Sequence, residues 1–312
     1  NERLRILGSN GNVGIGITSP NNLLDVHGGD IDVNTAGKGY MINDNYVLRH
    51  KGDATNIFVG VGAGFSNTTG RANTFTGFVA GALNTSGRGN TFLGDSAGYN
   101  NNDGNFNTFT GLRCGLNTTN GISNSFYGKE AGYYNTSGSR NSFWGNHAGF
   151  SNTAGNNNIF IGDMAALYNT AGNENVAIGS NAGYNNGFAT TDDYNVFIGS
   201  GSAFNARGDS NVVIGAFAAA SGGLVKAVAI GVNAVVTASN RMILGSNNVN
   251  VGIGLSNDPA PSFGPENRLE INNSTTGNAL TPNPSGSTGK SGLGFRDLTS
   301  ASAPEPANPG TG

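Results

Sequence analysis

Proton transfer and metal ligation would fall first to the three histidines, His27, His50 and His147. They stand far apart in unlike surroundings, and no zinc-ligand or nucleophile spacing connects them. The acid pair Asp192–Asp193 has the oxygen chemistry for Ca²⁺, but it lies in an irregular stretch that reads as a solvated loop. Glycine strings such as the one over residues 60–64 imitate phosphate-binding loops, yet no helix and no Lys-Ser/Thr pair follows them. The lone cysteine, Cys114, excludes an intrachain disulfide. It occupies a position that otherwise holds alanine, so it reads as a small apolar filler. Asn67, Asn84, Asn117 and Asn135 head Asn-x-Ser/Thr triplets, which a recurrent Asn-Thr turn explains without a glycan. These residues predict no catalytic group, no metal site and no cofactor.

Recognition chemistry has better candidates. Tyr127 and Trp144 are seventeen residues apart, each directly after a phenylalanine. In stacked strands such a pair would lie about 4.8 Å apart. Arg113, Lys129, Glu130, Asn146 and His147 fall at neighbouring positions of the same pattern. Stacked rings beside polar side chains suit a sugar or protein receptor. We take Tyr127, Trp144, Arg113, His147 and Asn146 as the receptor-binding candidates. The competing use of Tyr127 and Trp144 is to fill a seam between chains.

A seventeen-residue repeat must position these side chains. Asn56, Asn73, Asn90, Asn107, Asn124, Asn141, Asn158 and Asn175 are evenly spaced. Two residues after each comes an aromatic, Phe58, Phe75, Phe92, Phe109, Phe126, Phe143 and Phe160, then Ala177. These phenylalanines are the predicted structural core, either inside each coil or at an inter-chain seam. Glycine follows two further on (Gly60 through Gly179), then the small column of Ala63, Ala80 and Ala97 through Ala182 that includes Cys114. A second Asn column holds Asn67, Asn84, Asn101, Asn135, Asn152, Asn169 and Asn186. A short fixed period in such a sequence predicts a solenoid with one coil per repeat. Stacked asparagines can bond from coil to coil. The variable column of Gly62, Val79, Ser96, Arg113, Glu130, His147, Met164 and Asn181 reads as a solvent-facing corner.

After Asn175 the strand reads NVAIG, NVFIG, NVVIG and AVAIG, apolar on both faces. A thin solenoid has one interior, so the second apolar face predicts a symmetric homo-oligomer. The fold expected is all-β: a β-solenoid (β-roll) over 56–239, in an intertwined or side-by-side homotrimeric fibre. About eleven coils make a rod of roughly 50–55 Å that runs on to about residue 254. The similar phrases RILGSNGNVGIG and RMILGSNNVNVGIG bracket the coils and predict a β capping module over 1–55 and another over 240–272. Eight of the nine prolines lie from Pro259 onward, so 273–312 reads as a Pro/Gly/Ser-rich linker or tail.

Composition narrows the function. Charged residues are 11% and the net charge is −3, which leaves no basic stripe for nucleic acid. No apolar run is long enough for a membrane span. Without a Met or signal peptide at Asn1, the sequence reads as a mature product or a piece of a longer chain. The repeats supply no recurrent acidic column for a polysaccharide depolymerase. An ice-binding threonine face fails too, because the columns of Thr74–Thr76 and Thr108–Thr110 also hold Leu93, Tyr127 and Trp144.

The phrases NVAIGSNAG, NVVIGAFAAASG and AVAIGVNAVVTAS resemble the head repeats of trimeric autotransporter adhesins. NVGIGITSPNNLLDVHGGDI, NTFLGDSAGYN and SGLGFRDLTS are similar to stretches of tail-fibre proteins of phages and contractile injection systems. The resemblance implies an extracellular, homotrimeric structural segment on a tail fibre, or as an alternative on a bacterial cell surface. It would space and present an adhesive surface. The partners implied are other tail, baseplate or surface proteins and a cell-surface glycan or protein receptor.

Overall fold

The computed structural model describes residues 4–7, 11–26, 39–184 and 192–246. Every regular element among them is a β-strand. One sheet of fourteen strands dominates. Its strands from Ile57–Val59 to Met242–Leu244 run parallel, each a turn of the solenoid above the last, in about eleven turns. Neighbours pair in the register of the repeat, Phe58 on Phe75 and Tyr127 on Trp144. A hairpin of Gly39–Ile42 and Asn45–Arg49 lies antiparallel along the first turn. Leu4–Ile6, Val13–Ile15 and Leu24–Val26 form a separate small sheet.

The two similar bracketing phrases are used differently. In the first, Leu4–Ile6 folds back antiparallel on Val13–Ile15. In the second, Met242–Leu244 continues the parallel ladder beyond Val228–Ile230. The stack therefore runs past residue 239. The remainder expected to reach residue 254, the rest of 240–272 and the 273–312 tail lie outside the described residues, as do His27 and Asn186.

Each repeat strand is only three residues long, and its burial pattern is exposed or intermediate on the flanks and buried in the middle. The Phe column therefore points into the coil. Its rings stack at centroid spacings of 4.5–4.9 Å with planes 3–12° apart. The glycine at Gly64, Gly81, Gly98, Gly115, Gly132 and Gly149 follows from that stack, with Ala166 the exception in this column. A Cβ there would meet the ring of its own coil at 2.4–2.5 Å. The alanine column, with Cys114 in it, fills what space remains. Cys114 is fully buried, its Sγ lies 3.3 Å from the Phe126 carbonyl oxygen, and burial holds its thiol well above the ordinary thiol range. The segment after the strand is built of turns rather than a second strand, except in the last coils, where Ala219–Ala220 pairs with Val235–Val236.

Two asparagine columns do the polar work of this interior. In the first, the side-chain Oδ1 accepts the backbone N–H of the next column member at 2.9–3.0 Å, from Asn56 to Asn73 up to Asn195 to Asn211. Its Nδ2 donates at 2.7–2.8 Å to the glycine carbonyl fourteen residues on, for example Asn73 to Gly87. In the second, amides bond directly: Asn84 Nδ2 to Asn67 Oδ1, Asn101 to Asn84, Asn152 to Asn135 and Asn169 to Asn152, at 2.7–2.8 Å. Buried amides need such partners, since an unpaired one costs about 1–3 kcal/mol.

The second ladder has one break. Thr118 stands where Asn is expected, fully buried, and its Oγ1 has no hydrogen-bond partner. An Asn here would donate to Asn101 and accept from Asn135. We predict that Thr118→Asn raises stability by about 1–2 kcal/mol, read as a higher melting temperature by calorimetry. An unchanged or lower melting temperature would show that the ladder adds nothing at this coil.

Candidate functional site

The receptor-binding candidates lie on two parts of the coil. Tyr127 ends strand Ser125–Tyr127 and Trp144 ends Ser142–Trp144, on the outward face opposite the Phe column. Their rings are 4.4 Å apart and tilted by 36°, and Trp144 is 50% exposed. The parallel register forces this meeting, because both follow the same column. The pair presents an apolar face that a sugar ring or an apolar partner could cover.

Past the glycines Gly128 and Gly145 the chain turns, and the corner column begins. Its non-glycine members from Val79 to Asn181 all hold a left-handed backbone, with φ of 46–57°. That conformation costs roughly 1–2 kcal/mol for an L-residue. The column tolerates many side chains because they project outward, unlike the glycine column two residues on that faces the Phe rings. The corner is less open than its variability suggested. Glu130 is 14% exposed at its side chain and His147 24%. Glu130 Oε2 lies within hydrogen-bonding distance of His147 Nε2, at 2.8 Å, and Arg113 Nη1 lies 3.6 Å from its other oxygen. Arg113, Glu130 and His147 are thus three successive rungs of one electrostatic ladder. His147 also sits edge-on to Phe150 at 5.3 Å. Asn146 Nδ2 donates to Asp163 Oδ1 at 2.8 Å. Arg113 alone of these keeps a largely exposed side chain, at 53%.

Asp193 and Asp209 are absorbed by the coil-to-coil bonding. Asp193 Oδ1 accepts the Asn173 N–H at 2.6 Å, and Asp209 Oδ1 accepts the Asp193 N–H at 2.9 Å. These carboxylates serve as coil-to-coil acceptors, as Asn156 and Asn173 do one and two turns earlier. Among the described residues no group of three His, Cys, Asp or Glu side chains is arranged to hold a metal ion. Asn67, Asn84 and Asn135 are fully buried ladder members, so of the four triplets in the repeat turns only the one at Asn117 reaches the surface. No helix among the described residues is long and apolar enough to cross a membrane.

Sequence reasoning missed a groove on another part of the coil, bounded by Leu83 and Tyr134. Its signal was present: one column carries Leu83, then the smaller, polar Asn100 and Asn117, then Tyr134. Comparison with protein-family descriptions, curated proteins and solved structures found no match to this chain in any of the three.

Proposed function

We propose that this chain is a structural segment of an extracellular fibre, a tail fibre of a phage or contractile injection system, that spaces and presents a receptor-binding surface as a homotrimer. The observation that carries this reading is the outer face of the parallel sheet. From Ile159 onward its two outward columns are Ile159/Ile161, Val176/Ile178, Val196/Ile198, Val212/Ile214, Val228/Ile230 and Met242/Leu244. Ile159, Ile161, Met242 and Leu244 are 39–57% exposed and the rest half-buried. A continuous apolar strip of this kind is what soluble monomers avoid. Earlier coils mix Thr74, Thr76, Thr108, Thr110, Ser125 and Ser142 with Ile57, Val59, Leu93, Tyr127 and Trp144 in the same columns, so the strip is unbroken only from Ile159 onward. The seam therefore belongs to the later coils and the display surface to the earlier ones. The segment works by holding and binding rather than by turnover. Supporting that, its interior columns vary far less than its corner columns.

Light scattering should return about three times the 31.7 kDa of one chain. The variant Ile198→Asp with Ile214→Asp should fall to a single chain while keeping its β circular dichroism. A wild-type monomer, or a variant that stays trimeric, would overturn the seam.

Trp144→Ala combined with His147→Ala should leave folding and trimer mass intact and weaken adherence of the labelled segment to host cells by about tenfold or more. Trp144 adjoins the apolar strip through its register partner Ile161. Loss of the trimer in this variant would place Trp144 in the seam instead, and full adherence would move recognition away from this pair.

A further inference from the structure

The groove bounded by Leu83 and Tyr134 has a volume of about 680 Å³. Leu83 and Tyr134 hold the same repeat position three coils apart, about 14 Å along the stack. Asn100 and Asn117 hold that position between them and form the floor. Thr85, Asn102, Thr119 and Thr136, two residues further along each coil, form a wall. No charged side chain lines it. Its polar groups are all carboxamides and hydroxyls, which can donate and accept but cannot balance a ligand's charge.

Two features make this a prepared surface. Tyr134 is 47% exposed and packs on one side against the stacked pair Tyr133 and Phe150, at 4.7 Å and 76° and at 5.2 Å and 86°. A ring fixed in this way offers apolar area with little entropy left to lose on binding. On the floor, Asn100 Nδ2 donates to Asn117 Oδ1 at 2.8 Å. That bond orients both amides and leaves the Asn100 carbonyl oxygen and the Asn117 amide N–H groups outside the bond between them. Along the wall, Thr85 Oγ1 donates to Asn102 and Thr119 Oγ1 to the Thr136 carbonyl, so these hydroxyl oxygens keep acceptor capacity.

We propose that this groove binds a neutral oligosaccharide of about three pyranose units, one unit per coil rise. Tyr134 stacks on the apolar face of the ring at one end, Leu83 bounds the other, and Asn100 and Asn117 read hydroxyl or acetamido groups between them. The site is separate from Tyr127 and Trp144 and needs neither that pair nor the trimer seam.

The test uses the full chain on an array of neutral hexose and N-acetylhexosamine trisaccharides, with sialylated and uronate-containing trisaccharides beside them. Neutral trisaccharides should bind in preference to acidic ones. Binding should weaken by about tenfold or more in Tyr134→Ala and in Asn117→Leu, which replaces the floor amide by an apolar side chain, and stay within about twofold in Val232→Ser, an exposed position on a distant coil. If Tyr134→Ala lowers the melting temperature, Asn117→Leu decides. Absence of binding to every neutral trisaccharide, preference for acidic ones, or insensitivity to Asn117→Leu would overturn the proposal. Loss in Trp144→Ala alone would assign glycan binding to the Tyr127–Trp144 pair and remove it from the groove.

Discussion

A buried amide that closes its own coil while joining the next is the interaction on which this molecule depends. Asn107 shows the geometry: its Nδ2 donates to Gly121 and its Oδ1 accepts from the Asn124 backbone. Neither leucine nor aspartate could do both, because one has no polar atoms and the other has no donor. The three-residue strands are too short to set register alone. With the amide fixed, the phenylalanine two residues later falls on its counterpart in the next coil. The ring stack, the alanine filler and the glycine opposite each ring follow from that alignment.

Much of this was legible from spacing alone. Period, coil count, the alanine place of Cys114 and the coil-to-coil bonding of the second Asn column all follow from columns that a reader can align. Whether the Phe column faced inward was not legible, because apolar flanks such as Ile159 and Ile161 suit either face equally. Nor could spacing reveal why glycine dominates opposite the rings, Ala166 being the departure, but varies freely two residues earlier. Both positions need a left-handed backbone, and only the ring contact separates them. The corner ladder of Arg113, Glu130 and His147 was read as open polar surface, because pairing across seventeen residues is invisible until the coils are stacked. The same holds for the groove, whose floor is two residues that are simply smaller than their column neighbours.

The division between constant interior and variable exterior bears on function. Interior columns obey a packing rule that leaves almost no freedom, so sequence variation is confined to outward strand positions, corners and turns. Along one chain these positions change from hydroxyl-bearing to aromatic to aliphatic. The outward face is thus mixed in the earlier coils and continuously aliphatic in the later ones. The stack also places surface features at multiples of one coil rise, a spacing suited to ligands that are themselves repeats.

The central claim is that the first asparagine column sets the coil register, and native-state hydrogen exchange on Asn107→Leu tests it most directly. This substitution leaves the Asn124 N–H and the Gly121 carbonyl buried without their side-chain partner. The account predicts loss of protection at the Asn124 amide and its neighbours in adjacent coils, with a stability cost of about 2–5 kcal/mol for two abandoned groups. Unchanged protection at Asn124 and an unchanged melting temperature would contradict it.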